Sequence, residues 1–268
     1  MKSEYIYTQS ELSTPEQIGF GFGTAVAFSD KSPDKESSNE DSVALFELDN
    51  NTAVFLVADG LGSLPNADTA SKLAIKTIQQ SLKQVSDSDS IREAILDGLE
   101  KANQQIQEKI PGSATTLVAI EYHKQTIRPY HVGDSMILLT GQRGKIKLQS
   151  VPHSPVGYAI EAGMLDEDEA IHHEERHIVS NVVGSSDMRI EIGAALKLAQ
   201  HDTLIISSDG LFDNLYVDEI VELVRKGKLK HAGEQLVQQA KKRMQSPQKD
   251  MPSHADDLSF ILFRLKQE

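Results

Sequence analysis

The chain has 268 residues, 39% of them hydrophobic and none of them cysteine, which leaves room for one sizeable core and excludes disulfides and thiolate zinc sites. Its formal charge of −13, from 27 Lys and Arg against 40 Asp and Glu, argues against nucleic acid or an anionic membrane as the main partner, because both select clustered cations. No apolar run approaches the ~18–20 residues that span a bilayer, and the polar start "MKSEYIYTQSELSTPEQ" has no apolar leader core, so the expectation is a cytoplasmic protein without a signal peptide.

Short apolar or alternating runs come first: "GFGTAVAFSD" (21–30), "SVALFELDN" (42–50) and "NTAVFLVADG" (51–60) read as strands, the last two joined by a hairpin turn in "LDNNT". A helical block follows. Ala67, Ala70, Ala74, Ile78, Leu82 and Val85 keep a 3.6-residue period over 66–85. Ile91, Ile95, Leu99, Ala102 and Ile106 repeat it over 88–110, with Ser88 or Ser90 as the cap and Pro111-Gly112 as the stop. Strands return at 114–123, 126–140 and 145–150. An irregular acidic stretch covers 151–195, and then come a strand at 202–210, helices around 216–227 and 230–246, and a closing strand at 256–265. This order is not a βαβ alternation. It fits antiparallel sheets with helices packed outside, in one domain.

Two of the strands run into an Asp-Gly pair, Asp59-Gly60 and Asp209-Gly210. An acid at the mouth of an apolar strand is costly unless something pairs it. Glu40 and Asp41 stand at the entrance of a strand, Asp256 and Asp257 at the entrance of the last one, and Asp134 interrupts 126–140. Adjacent strands can gather these points. Carboxylates without thiolates favour hard divalent ions such as Mg²⁺ or Mn²⁺, and two such ions sharing a carboxylate suit an in-line displacement at phosphorus. Asp-Gly is also a common turn pair, so the spacing alone leaves a structural reading beside the metal one.

In chain order, "NEDS" (39–42), "VADGLGS" (57–63), "GSATTLVAI" (112–120), "HVGDSMILL" (131–139), the run 153–185, "IISSDGLFDNL" (205–215) and "DDLSFILF" (256–263) resemble the motifs of the metal-dependent Ser/Thr protein phosphatases of the PPM, or 2C, type. The likeness spans about residues 20–265 and includes the bacterial form of the family. It implies an α+β fold, a four-layer α-β-β-α sandwich of two antiparallel sheets flanked by helices, filling 1–268 as a single domain. It also implies hydrolysis of phosphoserine and phosphothreonine in proteins by a metal-activated water at a binuclear Mn²⁺ or Mg²⁺ centre, in a monomer. By that resemblance Asp59 bridges the two metals and Asp209 and Asp256 complete the first. The Gly60 carbonyl and the Glu40/Asp41 pair serve the second, and Asp134 with Asp209 holds a third, weaker ion.

The sequence departs from the family pattern at several positions. The usual phosphate-binding arginine is absent, and Glu36 and Lys35 stand there. Lys35, or Lys31, offers a point charge instead of a two-pronged fork. Leu61 stands where some members carry a candidate acid histidine, Ser63 replaces a glycine and Met136 an arginine. These departures motivate an alternative, a catalytically weak module that binds a partner or phosphoprotein. Other motifs are set aside. His173 and His177 are four apart but lack the H-E-x-x-H pattern, and "GFGFG" (19–23) lacks the strand-then-helix setting of a dinucleotide loop.

Overall fold

In the computed structural model, which describes residues 1–33, 35–85, 90–249 and 251–266, the first elements are β1 (Ser3–Thr8), β2 (Glu16–Phe20), β3 (Gly23–Asp30), β4 (Asp41–Asp49), β5 (Thr52–Asp59), α1 (Ala67–Leu82) and α2 (Ile91–Lys109). Then come β6 (Leu117–His123), β7 (Thr126–Val132), β8 (Met136–Thr140), β9 (Ile146–Gln149), α3 (Pro155–Glu161), α4 (Glu167–Ala170), β10 (Glu191–Ile192) and β11 (Leu196–Lys197). The chain closes with β12 (Thr203–Ser207), α5 (Asp209–Phe212), α6 (Val217–Val224), α7 (Leu229–Gln245) and β13 (Leu258–Leu265).

One sheet runs β1-β4-β5-β6-β7-β10, with β11 also paired to β7, and the other runs β2-β3-β13-β12-β8-β9. Their neighbours pair antiparallel. Alternate residues explain the layers, because successive strand side chains point to opposite faces. Val43, Leu45, Phe55, Val57 and Ile120 of the first sheet meet Ala25, Ile137, Leu204, Ile206 and Phe263 of the second. On the outside of the first sheet, Ala44, Val54 and Leu56 pack against Ala70, Ala74, Ile78, Ile95 and Leu99 of α1 and α2. Outside the second, Val26, Leu138, Ile205 and Leu262 pack against Ile220, Val224, Leu236 and Ala240 of α6 and α7. This is the expected α-β-β-α sandwich. Central strands covered on both faces read as unbroken apolar runs, which is why "TAVFLVA" lacks alternation.

The stripes expected on α1 and α2 are the buried ones, except that Val85 lies beyond the end of α1 and is only partly buried. The Ser88 cap lies outside the described residues, and Ser90 occupies the N-cap position of α2. The "LDNNT" turn joins β4 to β5, with the Asn51 N–H donating to Asp49 Oδ1 at 2.7 Å. Two features differ from the sequence expectation. The polar N-terminus forms β1 and β2, and Gly21 and Phe22 turn β2 into β3, so the strand expected from residue 21 starts at Gly23. Residues 126–140 are not one strand: β7 belongs to the first sheet and β8 to the second. The crossing is made at Gly133 (φ 107°), whose missing side chain would otherwise strike the Thr116 side chain at 2.5 Å.

Candidate metal centre

The acids gather at one end of the sandwich. Asp41 opens β4 directly opposite Asp59, which closes β5. The other sheet brings Asp209, which begins α5 just after β12, and Asp256, just ahead of β13. Asp134 lies on the crossing between β7 and β8. Burial pushes the Asp59 carboxyl well above the ordinary range, and the charges of Asp41, Asp209, Asp256 and Asp134 add to the push. Asp209 is raised in the same way, by burial and then by Asp256, Asp213 and Asp134. Asp41 is pushed up to about 8 by burial and by Asp257.

The surrounding backbone holds these acids in place. The Asp59 N–H donates to Thr116 Oγ1 at 3.1 Å, and its carbonyl accepts from Thr115 Oγ1 at 2.7 Å and the Thr116 N–H at 2.8 Å. The "ATT" stretch therefore fixes the end of β5. Ser208 Oγ donates to Asp41 Oδ2 at 2.8 Å across the two sheets. A side chain on Gly60 would meet the Ala67 carbonyl oxygen at 2.2 Å, and one on Gly62 would stand 2.9 Å from Glu40 Oε2. The tight Asp-Gly-x-Gly turn thus lets the Glu40 carboxylate lie over it.

The two members of the Asp256-Asp257 pair do different things. Asp256 lies close enough to Asp59 and Asp209 to raise both, with His254 Nε2 3.6 Å from its Oδ2. Asp257 is buried and accepts from the Ser32 N–H and the Glu40 N–H, each at 2.7 Å, and from Lys35 Nζ at 2.6 Å. Lys35 Nζ also donates to Glu40 Oε2 at 2.6 Å. Lys31 instead pairs with Glu11 at 3.0 Å. Glu36 is exposed, Leu61 is half-buried, and Met136 is buried among the apolar residues beside α5 and α6.

Asp213 and Arg176 complete the site and were not singled out in the sequence. One turn of α5 sets Asp213 four residues after Asp209. Burial raises its pKa, and the Arg176 guanidinium beside it opposes the rise. Arg176 donates to Asp213 Oδ1, to the Phe212 carbonyl at 2.7 Å and to the Ile171 carbonyl at 2.9 Å. Asp134 is pushed up to about 7, by burial first and Asp213 next. The signals were present: the four-residue spacing in "DGLFD", and an arginine that is the sole Lys or Arg in the acidic run 153–185.

All these donors are oxygens, and two of them, Asp41 Oδ1 and Asp209 Oδ1, are buried without a hydrogen-bond partner among the described residues. Orphaned buried acceptors among mutually repelling carboxylates are what a hard divalent cation would satisfy. A second cluster, His131, His153 and Glu191, brings ligand-type atoms within 4.8 Å of one another, but its chemistry does not fit an ion. His153 Nδ1 accepts from the Gly133 backbone N–H at 3.1 Å and from Asn181 Nδ2 at 2.9 Å. The neutral ring therefore carries its proton on Nε2, which faces Glu191 Oε2 at 3.0 Å and has no free lone pair. His173 and His177 lie in turns rather than on a helix, and His173 Nδ1 accepts from the Glu175 N–H.

Comparison with known proteins finds similar sequences and similar folds. The family model for protein phosphatase 2C matches residues 31–250. A putative protein phosphatase 2C-type of Streptococcus pyogenes serotype M6 is 28% identical over 198 residues, covering 71% of this chain and 80% of that protein. The solved serine/threonine phosphatase of S. agalactiae superposes with a TM-score of 0.78 at 24% identity, over 90% of this chain and 99% of the other. A solved catalytic domain of the serine threonine protein phosphatase PstP, in complex with two manganese ions, gives a TM-score of 0.71 at 19% identity, over 92% and 99% of the two chains.

Proposed function

The chain belongs to the protein phosphatase 2C family, and from that premise we propose that it is a protein serine/threonine phosphatase that hydrolyses phosphoserine and phosphothreonine with two divalent ions, Mn²⁺ or Mg²⁺. The observation that carries this reading is the convergence of Asp41, Asp59, Asp134, Asp209 and Asp256 with orphaned carboxylate oxygens. When bound, the ions supply Lewis-acid clamping of phosphoryl oxygens and a hydroxide-like nucleophile near neutral pH.

The chain's own residues do the rest. Asp59, pinned through both of its backbone groups, would be shared between the ions. Asp209 and Asp256 would hold the first. The Gly60 carbonyl, Glu40 and Asp41 would serve the second, with Asp41 aimed by Ser208. Asp134, Asp209 and Asp213 would form a further carboxylate set for a third. Among the described residues Lys35 Nζ donates to Glu40 and Asp257, two of its three hydrogens, and it is the candidate contact for the substrate phosphate. Leu61 has no proton to give, so the 60–63 turn binds without acting as an acid. Several repelling carboxylates would serve no purpose in a module that only binds a partner, which favours catalysis over the alternative raised by Glu36 and Leu61.

The test is phosphate release from a phosphothreonine peptide and from para-nitrophenyl phosphate, in Mn²⁺ or Mg²⁺ against EDTA. Metal-dependent release from the peptide, lost in Asp59→Asn, is expected. Metal binding without release from either substrate would transfer support to the binding-module reading.

A further inference from the structure

Beside the carboxylates lies a cavity of about 410 Å³, within the ~300–1,000 Å³ span of small-ligand sites. Asp134, Asp209 and Asp213 form one end of it. Away from that end the walls are mainly apolar, interrupted by Gln149, Ser150, Ser154 and Tyr216. Val156 and Ile160 come from α3, Ile171 from the segment after α4, Phe212 and Leu215 from α5 and the turn after it, and Val217 from the start of α6. The polar groups on the apolar side include the carboxylates Glu161 and Asp218, both exposed. Among the described residues of the lining the one cation, Arg176, is committed to Asp213.

Resting on the phosphatase reading above, we propose that this groove is the subsite for the residues flanking the phosphorylated one, and that it selects a phosphopeptide with a large aliphatic or aromatic side chain beside the phosphoresidue and no acidic neighbour. The argument is one of continuity. A phosphoresidue delivered to the carboxylate end carries its chain neighbours along the apolar walls continuous with that end. Those walls reward burial of an apolar side chain by removing its surface from water. An acidic neighbour would meet Glu161 and Asp218 and be repelled. The walls come from α3 and the 171–176 segment on one side and from α5 and α6 on the other. The geometry of the subsite therefore depends on how the irregular stretch after β9 sits on the helices.

The decisive measurement compares phosphothreonine peptides of equal length, differing only in whether the flanking residues are Leu, Ser or Asp, with para-nitrophenyl phosphate as a substrate too small to reach the groove. The expected order of kcat/KM is Leu above Ser above Asp, with Leu exceeding Ser by about tenfold, the worth of a few buried methylenes, and with the difference in KM. In Ile160→Asp, on the seven-residue helix α3, the ratio of Leu to Ser should collapse toward one. A Lys-flanked peptide should then overtake both. Equal kcat/KM for the Leu and Ser peptides, or an unaltered ratio in Ile160→Asp, overturns the subsite while leaving the phosphatase reading intact. Failure of every peptide and of para-nitrophenyl phosphate with metal present overturns both.

Discussion

Asp59 carries a heavy electrostatic burden, as Asp209 does, with four other carboxylates raising its pKa beyond what burial alone does. Replacing it with Asn keeps the shape and removes the charge. Two opposite effects follow. Metal affinity should fall by on the order of a hundredfold or more, since even outer-shell partners of a ligand are worth about 10–100-fold. The metal-free protein should melt at a higher temperature, because one source of repulsion is gone. Calorimetric Mn²⁺ titration and melts in EDTA check both, and a lower metal-free melting temperature would show that Asp59 is not the strained member. Lys35 behaves the other way. It neutralises Asp257, and Lys35→Met leaves a buried carboxylate with only backbone donors, a loss of roughly 1–3 kcal/mol in denaturant melts. At this scale the candidate residues stand out because each sits at a strand end or break beside a glycine or a second acid. The split of work between Asp256 and Asp257 was not legible, because neighbouring residues in an extended segment point opposite ways and only the partner loops decide which one is tied up by backbone donors.

The helices that flank the first sheet were readable from period alone, and their closest contact explains an odd residue. Gly98 lies in the interior of α2, where glycine weakens a helix by about 1 kcal/mol relative to alanine. A Cβ there would stand 2.9 Å from the Ile78 Cα of α1. Gly98→Ala should therefore destabilise by about 1–3 kcal/mol through overpacking despite the gain in helix propensity, read from thermal melts. A stabilised variant would mean that α1 and α2 separate freely. The edge strands were less legible. β1 is largely exposed and β2 buries only Ile18 and Phe20, so neither offers the apolar run that marks β4 or β5. The acidic segment after β9 was opaque for another reason: it is held by single contacts rather than by a buried stripe. Arg176 is the chief of these, and Arg176→Ala should free the 171–178 segment from α5 and leave Asp213 unpaired. Limited proteolysis should then cut within that segment faster than in the native protein. Unchanged cleavage would show that other contacts hold it.

The two sheets bring their like charges to the same end of the sandwich, and that makes the stability of the whole molecule depend on protons and ions together. Asp41 at about 8 and Asp134 at about 7 sit above the ordinary carboxylate value near 3.8, and Asp59 and Asp209 shift in the same direction. Between about pH 4 and pH 8 the folded chain therefore holds more protons at this end than the unfolded chain does, and stability without metal falls as pH rises through that window. His131 acts oppositely lower down. Burial and the neighbouring His153 depress it to about 3 from 6.5, so the unfolded chain takes up that proton first and acidification below about 6.5 destabilises the fold. The carboxylate effect should stand clear of His131 above pH 6.5. Melts in EDTA should fall from pH 6.5 to 8.5, at about 2–4 °C for each kcal/mol lost in a chain somewhat smaller than this one. Divalent ions compete with those same protons, so in millimolar Mn²⁺ the loss should vanish or reverse as deprotonation strengthens binding. A metal-free melting temperature that is flat across this range would mean that the carboxylates are not confined together, and the shared end of the two sheets would then have lost its reason for holding them.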